Sequence, residues 1–167
     1  MGKSNFERMT DTRQPWWLWP LLLVLLPFVV VAGVLWLVAA VLLQLVVWLT
    51  WCPRGRYVLV VYSNSPIWQE YFEAHVLPAV SSRGVVLNWS ERKRWQYSLP
   101  VALFRLFGGT RNFNPLAIVF QPLTWPRRFR FYRAFQAFKH GRPEEVERMR
   151  RELFELLDEL APVKKTK

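Results

Sequence analysis

Tyr57-Val58-Leu59-Val60-Val61-Tyr62 is an unbroken run of six aliphatic and aromatic residues. A strand with one wet face alternates apolar and polar side chains. A continuous run of this kind predicts a strand covered on both faces, the inner position of a layered sheet. Ser63-Asn64-Ser65-Pro66 follows it, a helix-start signal with proline in the first turn. Trp68, Phe72, His75, Val76 and Val80 then recur at roughly helical spacing, Ser82-Arg83-Gly84 closes the element, and Gly84 to Asn88 reads as a second strand. Strand, helix and strand within about thirty residues predict a parallel βαβ unit.

Downstream, Leu99 to Phe107 is a short apolar helix candidate stopped by Gly108-Gly109. Asn114-Pro115 opens a third buried strand, Leu116-Ala117-Ile118-Val119-Phe120, and the loop Pro122 to Pro126 leads into Arg128-Phe129-Arg130-Phe131-Tyr132-Arg133. Alternating cations and aromatics predict a half-exposed edge strand, paired with the third as a hairpin. The last element begins at Pro143, carries Glu144, Glu145 and Glu147 in its first turns, and aligns Val146, Met149, Leu153, Leu156, Leu157 and Leu160 on one face. Glu144 with Arg148, and Glu147 with Arg151, are spaced to pair across its outer side.

Upstream, residues 14 to 53 contain no Asp, Glu, Lys, Arg or His. That run is far longer than the roughly 7 to 15 apolar residues of a signal peptide, so it reads as a retained membrane anchor. As a helix, Trp19 to Trp48 would cover about 44 Å, close to a bilayer with its headgroups. Trp16, Trp17 and Trp19 at one end, and Trp48 and Trp51 at the other, fit interfacial belts. A hairpin bent near Pro27 or Gly33 is the alternative to a single span, but the polar residues of a turn are missing there. The 167 residues carry 23 Lys+Arg against 12 Asp+Glu, and all but one unit of the +11 charge follows the run. Arg54 and Arg56, with Arg92, Lys93 and Arg94 beyond, predict a cytoplasmic C-terminal domain on an inner or plasma membrane. The three cations of the N-terminal tail, Lys3, Arg8 and Arg13, oppose this for a single span and agree with a hairpin.

Four segments are expected: a tail over 1–13, an anchor over 14–53, an α/β domain over 54–161 and a basic tail over 162–167. Cys52 is the only cysteine, which excludes an intramolecular disulfide and a multi-cysteine metal site. The histidines, His75 and His140, both lie outside the apolar run, so no imidazole is offered there to a metal or haem.

The expected order, β-α-β-α-β-β-α, resembles the thioredoxin fold over roughly Arg56 to Leu160. In that family the first strand leads to Cys-x-x-Cys at a helix start, and a cis-proline precedes the third strand. Here those positions resemble Ser65-Pro66-Ile67-Trp68 and Pro115. The resemblance therefore implies a degenerate domain, with Ser65 and Trp68 where the two thiols would stand. Dithiol exchange needs thiolates, so no catalytic residue, metal or cofactor is expected.

Each remaining motif has a plain structural account. Ser65 suits a helix cap better than a nucleophile, because the only aspartates, Asp11 and Asp158, lie on the tail and the last helix. His75 suits packing beside Tyr71 and Phe72. Gly108-Gly109-Thr110-Arg111 lacks the Lys-Ser/Thr of a phosphate loop, and Asn88-Trp89-Ser90 is a glycosylation sequon that a cytoplasmic domain leaves unmodified. The basic residues are too concentrated for simple solvation. Arg92, Lys93, Arg94, Arg127, Arg128, Arg130 and Arg133 are expected to dock other membrane-protein subunits or anionic headgroups, with nucleic acid disfavoured for want of a recognised module. The expected function is a non-catalytic, membrane-anchored accessory or assembly subunit of a larger complex, such as a respiratory or photosynthetic one. The alternatives are a membrane-bound thioredoxin-like enzyme, or a surface adaptor using Arg128 to Arg133 to bind a soluble partner or anionic lipid.

Overall fold

The computed structural model describes residues 18–110 and 114–160. The chain divides into two compact units, one ending at Ala39 and one running from Ala40. The first consists, among the described residues, of most of a helix, α1 (Leu18–Thr50). This helix passes through Pro27 and Gly33 without interruption, so the bend that a hairpin requires is not made. Every side chain from Pro20 to Ala39 is exposed, although nearly all are apolar. That stretch of 20 residues is about 30 Å long, the thickness of a bilayer's hydrocarbon core. The helix over Pro20–Arg54 is long and apolar enough to cross a membrane.

The second unit is α/β. Its elements are the end of α1, β1 (Val58–Tyr62), the short helix α2 (Gln69–Tyr71), a π-helical turn (Phe72–Val76), α3 (Leu77–Val80), β2 (Gly84–Asn88), a 3-10 segment (Trp89–Arg94), α4 (Leu99–Phe107), β3 (Leu116–Val119), β4 (Arg127–Arg130), α5 (Tyr132–Lys139) and α6 (Glu144–Leu160). The sheet order is β2-β1-β3-β4. β1 runs parallel to β2, with Val58 opposite Gly84 and Tyr62 opposite Asn88, and antiparallel to β3. β3 and β4 form the expected antiparallel pair, with β4 at an edge.

β1 is buried along its whole length, and its alternate side chains enter two different cores. Val58, Val60 and Tyr62 pack under the π turn, α5 and α6. Leu59 and Val61 point the other way, against α4, against Ala40 and Val47 from the last turns of α1, and against Trp51 just after it. These turns therefore have one face in the domain core, while Val41, Leu42, Leu45, Val46 and Leu49 on them stay exposed. Trp51, expected at a membrane interface, is a core ring only 7% exposed, edge-on to Phe120 at 6.2 Å. Trp48 is half-buried. Trp16 and Trp17 lie outside the described residues, as do the side chain of Trp19, Arg111 and the two tails.

The expected edge strand over Arg128 to Arg133 stops at Arg130. Phe131 turns into helical backbone while its N–H still donates to the Pro115 carbonyl at 2.9 Å, and Tyr132 and Arg133 begin α5. Apolar residues Phe131, Ala134, Phe135 and Phe138 are spaced by three and four, a helical period that overrides the short alternation before it. The helix expected after Pro66 is also broken up. Pro78 has no N–H for the carbonyl four residues back and its ring crowds that carbonyl, and just before it Leu77 bonds Phe72, five residues back, in the π turn. On α6, Glu147 pairs with Arg150 at 2.5 Å and Arg148 with Glu152 at 4.0 Å, in place of the expected partners Arg151 and Glu144.

Candidate functional site

The strand register gives the domain two chemically different ends. At one end lie Val58, Gly84, Val119 and Arg127; at the other lie Tyr62, Asn88, Leu116 and Arg130. Trp51 meets Phe120, just past Val119, and Gln44 donates to the Thr124 carbonyl in the following loop. The last turns of α1 and Trp51 thus pack at the Val58 end, the proximal end of the sheet. The Tyr62 end is distal.

The distal end gathers the positions singled out by the thioredoxin resemblance. Antiparallel pairing of Val61 with Leu116 brings Pro115 beside Tyr62, next to Ser63–Ser65, and the Asn114–Pro115 bond is cis. Ser65 starts the helix mainly through its carbonyl, which accepts from Gln69 N–H at 2.9 Å; its hydroxyl accepts from Ile67 N–H at a long 3.5 Å. The indole of Trp68 donates to Ser63 Oγ at 3.2 Å and packs edge-on to Tyr132 and tilted against Phe135. Asn88 Nδ2 donates to Asn64 Oδ1 at 2.7 Å, Asn88 Oδ1 caps the 3-10 segment through Ser90 N–H, and Ser90 Oγ accepts from Asn64 N–H. The sequon asparagine is thereby a brace between two loops.

Arg92, Lys93 and Arg94 project from this end on the 3-10 segment, all exposed, with the Arg92 guanidinium 5.0 Å from the Trp89 ring centre. Arg130 lies at the same end, on the opposite sheet edge. Three strand spacings separate the edges, about 14 Å. Arg127 is at the proximal end, over the Phe129 ring at 5.3 Å and 4.0 Å from Glu152. Arg128 reaches back toward the Phe107 carbonyl at 3.4 Å, and Arg133 is on the first turn of α5. The seven cations expected to dock a partner therefore do not form one patch. Phe131, placed by the sequence on the docking edge, is fully buried, 5.2 Å from Phe72.

Carboxylates at this end and along the helices support the fold. Glu73 accepts from Tyr62 OH at 3.3 Å and from Gln69 Nε2 at 3.0 Å. Burial, with Glu73 beside it, pushes the Tyr62 phenol up from its ordinary pKa. Tyr71 donates to Glu147 Oε1 at 2.7 Å, joining α2 to α6, and burial with that hydrogen bond pushes its phenol up strongly. His75 is exposed on the π turn, its ring 4.9 Å from that of Tyr71. Among the described residues no three His, Cys, Asp or Glu side chains converge.

The proximal end holds residues that sequence reasoning passed over. Leu123 and Trp125, in the loop between Pro122 and Pro126, are 86% and 56% exposed. Leu123 has a φ of +62°, the left-handed region that a branched hydrophobe rarely adopts. Gln44, the one amide in α1, is only 6% exposed and ties this loop down. Between the loop and Val41, Leu45 and Trp48 of the helix lies an open cleft of about 220 Å³. A leucine and a tryptophan in a loop closed by prolines were the available signal, because loops are ordinarily polar. No family model, no curated protein and no solved structure matches the chain.

Proposed function

We propose that the chain is a non-catalytic, membrane-anchored accessory or assembly subunit of a larger membrane complex, carrying a degenerate thioredoxin-like domain. The single observation that carries the reading is that the chain bears two exposed surfaces of opposite chemistry. An exposed 20-residue apolar helix stretch precedes the domain, and the exposed Arg92-Lys93-Arg94 triplet projects from the distal end. The first surface suits lipid or the spans of other subunits. The second suits an acidic face on a partner protein, held at high local concentration by the anchor. The strand order and the parallel β1–β2 pair support the thioredoxin-like reading of the fold. Ser65 and Trp68 serve the fold through a helix start and ring packing, which supports a scaffold over a nucleophile.

Arg54 and Arg56 directly after the anchor favour a cytoplasmic domain on an inner or plasma membrane. The test is solubilisation of native membranes in mild detergent, followed by affinity capture of the tagged chain. The proposal expects a fixed set of membrane proteins at constant stoichiometry, and a solitary monodisperse monomer would refute it. The enzyme alternative is tested in the same preparation. Ser65→Ala leaves assembly unchanged if the domain is a scaffold and abolishes function if Ser65 is a nucleophile.

A further inference from the structure

We infer that the loop carrying Leu123, Thr124 and Trp125 is a second membrane-contacting element, which lodges Leu123 and Trp125 in the headgroup layer of the bilayer beside α1. The inference rests on the reading of α1 as a membrane anchor. Its own observations come from the folded unit. Val41, Leu42, Leu45, Val46 and Leu49 are exposed apolar residues on the last turns of α1, and Leu123 and Trp125 extend the same surface sideways from the helix.

The part of the helix beside the loop identifies the occupant. Val41, Leu45 and Trp48, which line the cleft with Leu123 and Trp125, lie within the helix that is long and apolar enough to cross a membrane, Pro20–Arg54. Gln44, between them, holds the Thr124 carbonyl and so keeps the loop against that helix. Tryptophan is the side chain suited to the headgroup layer, with an apolar body and one N–H for the wet side. Arg127, two residues past Trp125, and Arg54, at the foot of α1, supply cations for headgroup phosphates at the same end of the sheet. The strained backbone at Leu123 points the same way. A branched apolar side chain kept in a left-handed conformation and 86% in water gains nothing from the fold, whereas lipid contact gives it a partner.

The test places single cysteines in a Cys52→Ser background of the full-length chain, each bearing an environment-sensitive fluorophore. The reconstituted protein sits in phosphatidylcholine vesicles containing one-third phosphatidylglycerol, with or without a lipid-borne nitroxide quencher at headgroup depth. Leu35→Cys reports the anchor, Leu123→Cys and Trp125→Cys report the loop, and Lys93→Cys reports the distal end. The expected result is at least twofold quenching at both loop positions, a blue-shifted probe at residue 35, and an aqueous, unquenched probe at residue 93. A membrane-buried residue 35 with aqueous loop probes overturns the inference and leaves the anchor standing. Loop probes that are shielded from water yet unquenched by lipid also overturn it, because protein then covers the loop. An aqueous residue 35 refutes the anchor reading itself.

Discussion

Leu123 carries the sharpest conflict between a residue and its backbone. The left-handed conformation costs a branched side chain about 1 to 2 kcal/mol, while asparagine tolerates it. Leu123→Asn is therefore expected to raise the thermal stability of the detergent-solubilised protein by about 1 kcal/mol while weakening contact of the loop with lipid. Calorimetry and the quenching experiment read the two effects separately. Tyr71 offers a second test. Its phenol ionises at higher pH in the folded chain than in the unfolded one, so the stabilisation is complete below about pH 10 and declines as pH rises above it. Tyr62 acts in the same direction. Tyr71→Phe should cost about 1 kcal/mol at neutral pH through loss of the Glu147 bond, and should flatten the alkaline decline in urea midpoints. At this scale the sequence was partly legible. Ser65 precedes the cap of α2, which is Trp68, and His75 keeps its ring against Tyr71 while staying exposed; the interfacial role read for Trp51 gave way to Phe120, which lies 69 positions away in the chain. A tryptophan at the end of an apolar run looks the same whether it meets headgroups or a core.

The elements show which sequence signals are strong. β1 was legible because burial on both faces demands a continuous apolar run, and α6 because its leucines repeat over many turns. β4 was half legible: alternation fits Arg128, Phe129 and Arg130, but two-residue and helical periods overlap at Phe131, and only the packing of Phe135 behind it decides. Gly84 was read both as the close of a helix and as the first residue of the second strand, and pairing accounts for it. A Cβ there would stand 2.2 Å from the Val58 carbonyl oxygen and 2.5 Å from Val58 Cγ1. Gly84→Ala must separate the parallel β1–β2 pair at its first rung, at an expected cost of about 1 to 3 kcal/mol. Chemical denaturation should show the loss, and an unchanged midpoint would contradict this packing.

In the whole molecule, one long apolar helix also supplies side chains to the domain core. Ala40, Val47 and Trp51 are buried in the domain, while the 20 residues before them are exposed throughout. Removing the chain up to Ala39 should therefore leave cooperative unfolding intact, whereas removing it up to Pro53 should cost about 4 kcal/mol or more, through loss of Val47 and Trp51 alone. Thermal melts of the two truncations distinguish them. Where the domain core begins was hidden in the sequence, because exposed and buried turns of this helix carry the same apolar side chains. The distribution of charge was equally hidden, since only the register of three strand pairs separates Arg92, Lys93 and Arg94 from Arg127. The central claim is that this distal triplet docks a partner subunit. The most direct measurement compares the wild-type chain with the Arg92→Glu, Lys93→Glu, Arg94→Glu variant by capture from mild-detergent extracts and quantitative mass spectrometry. Companions at fixed stoichiometry are expected with the wild type, and their loss is expected from a variant that still folds and stays in the membrane. Wild-type protein recovered alone, or the same companions on both chains, would contradict the claim.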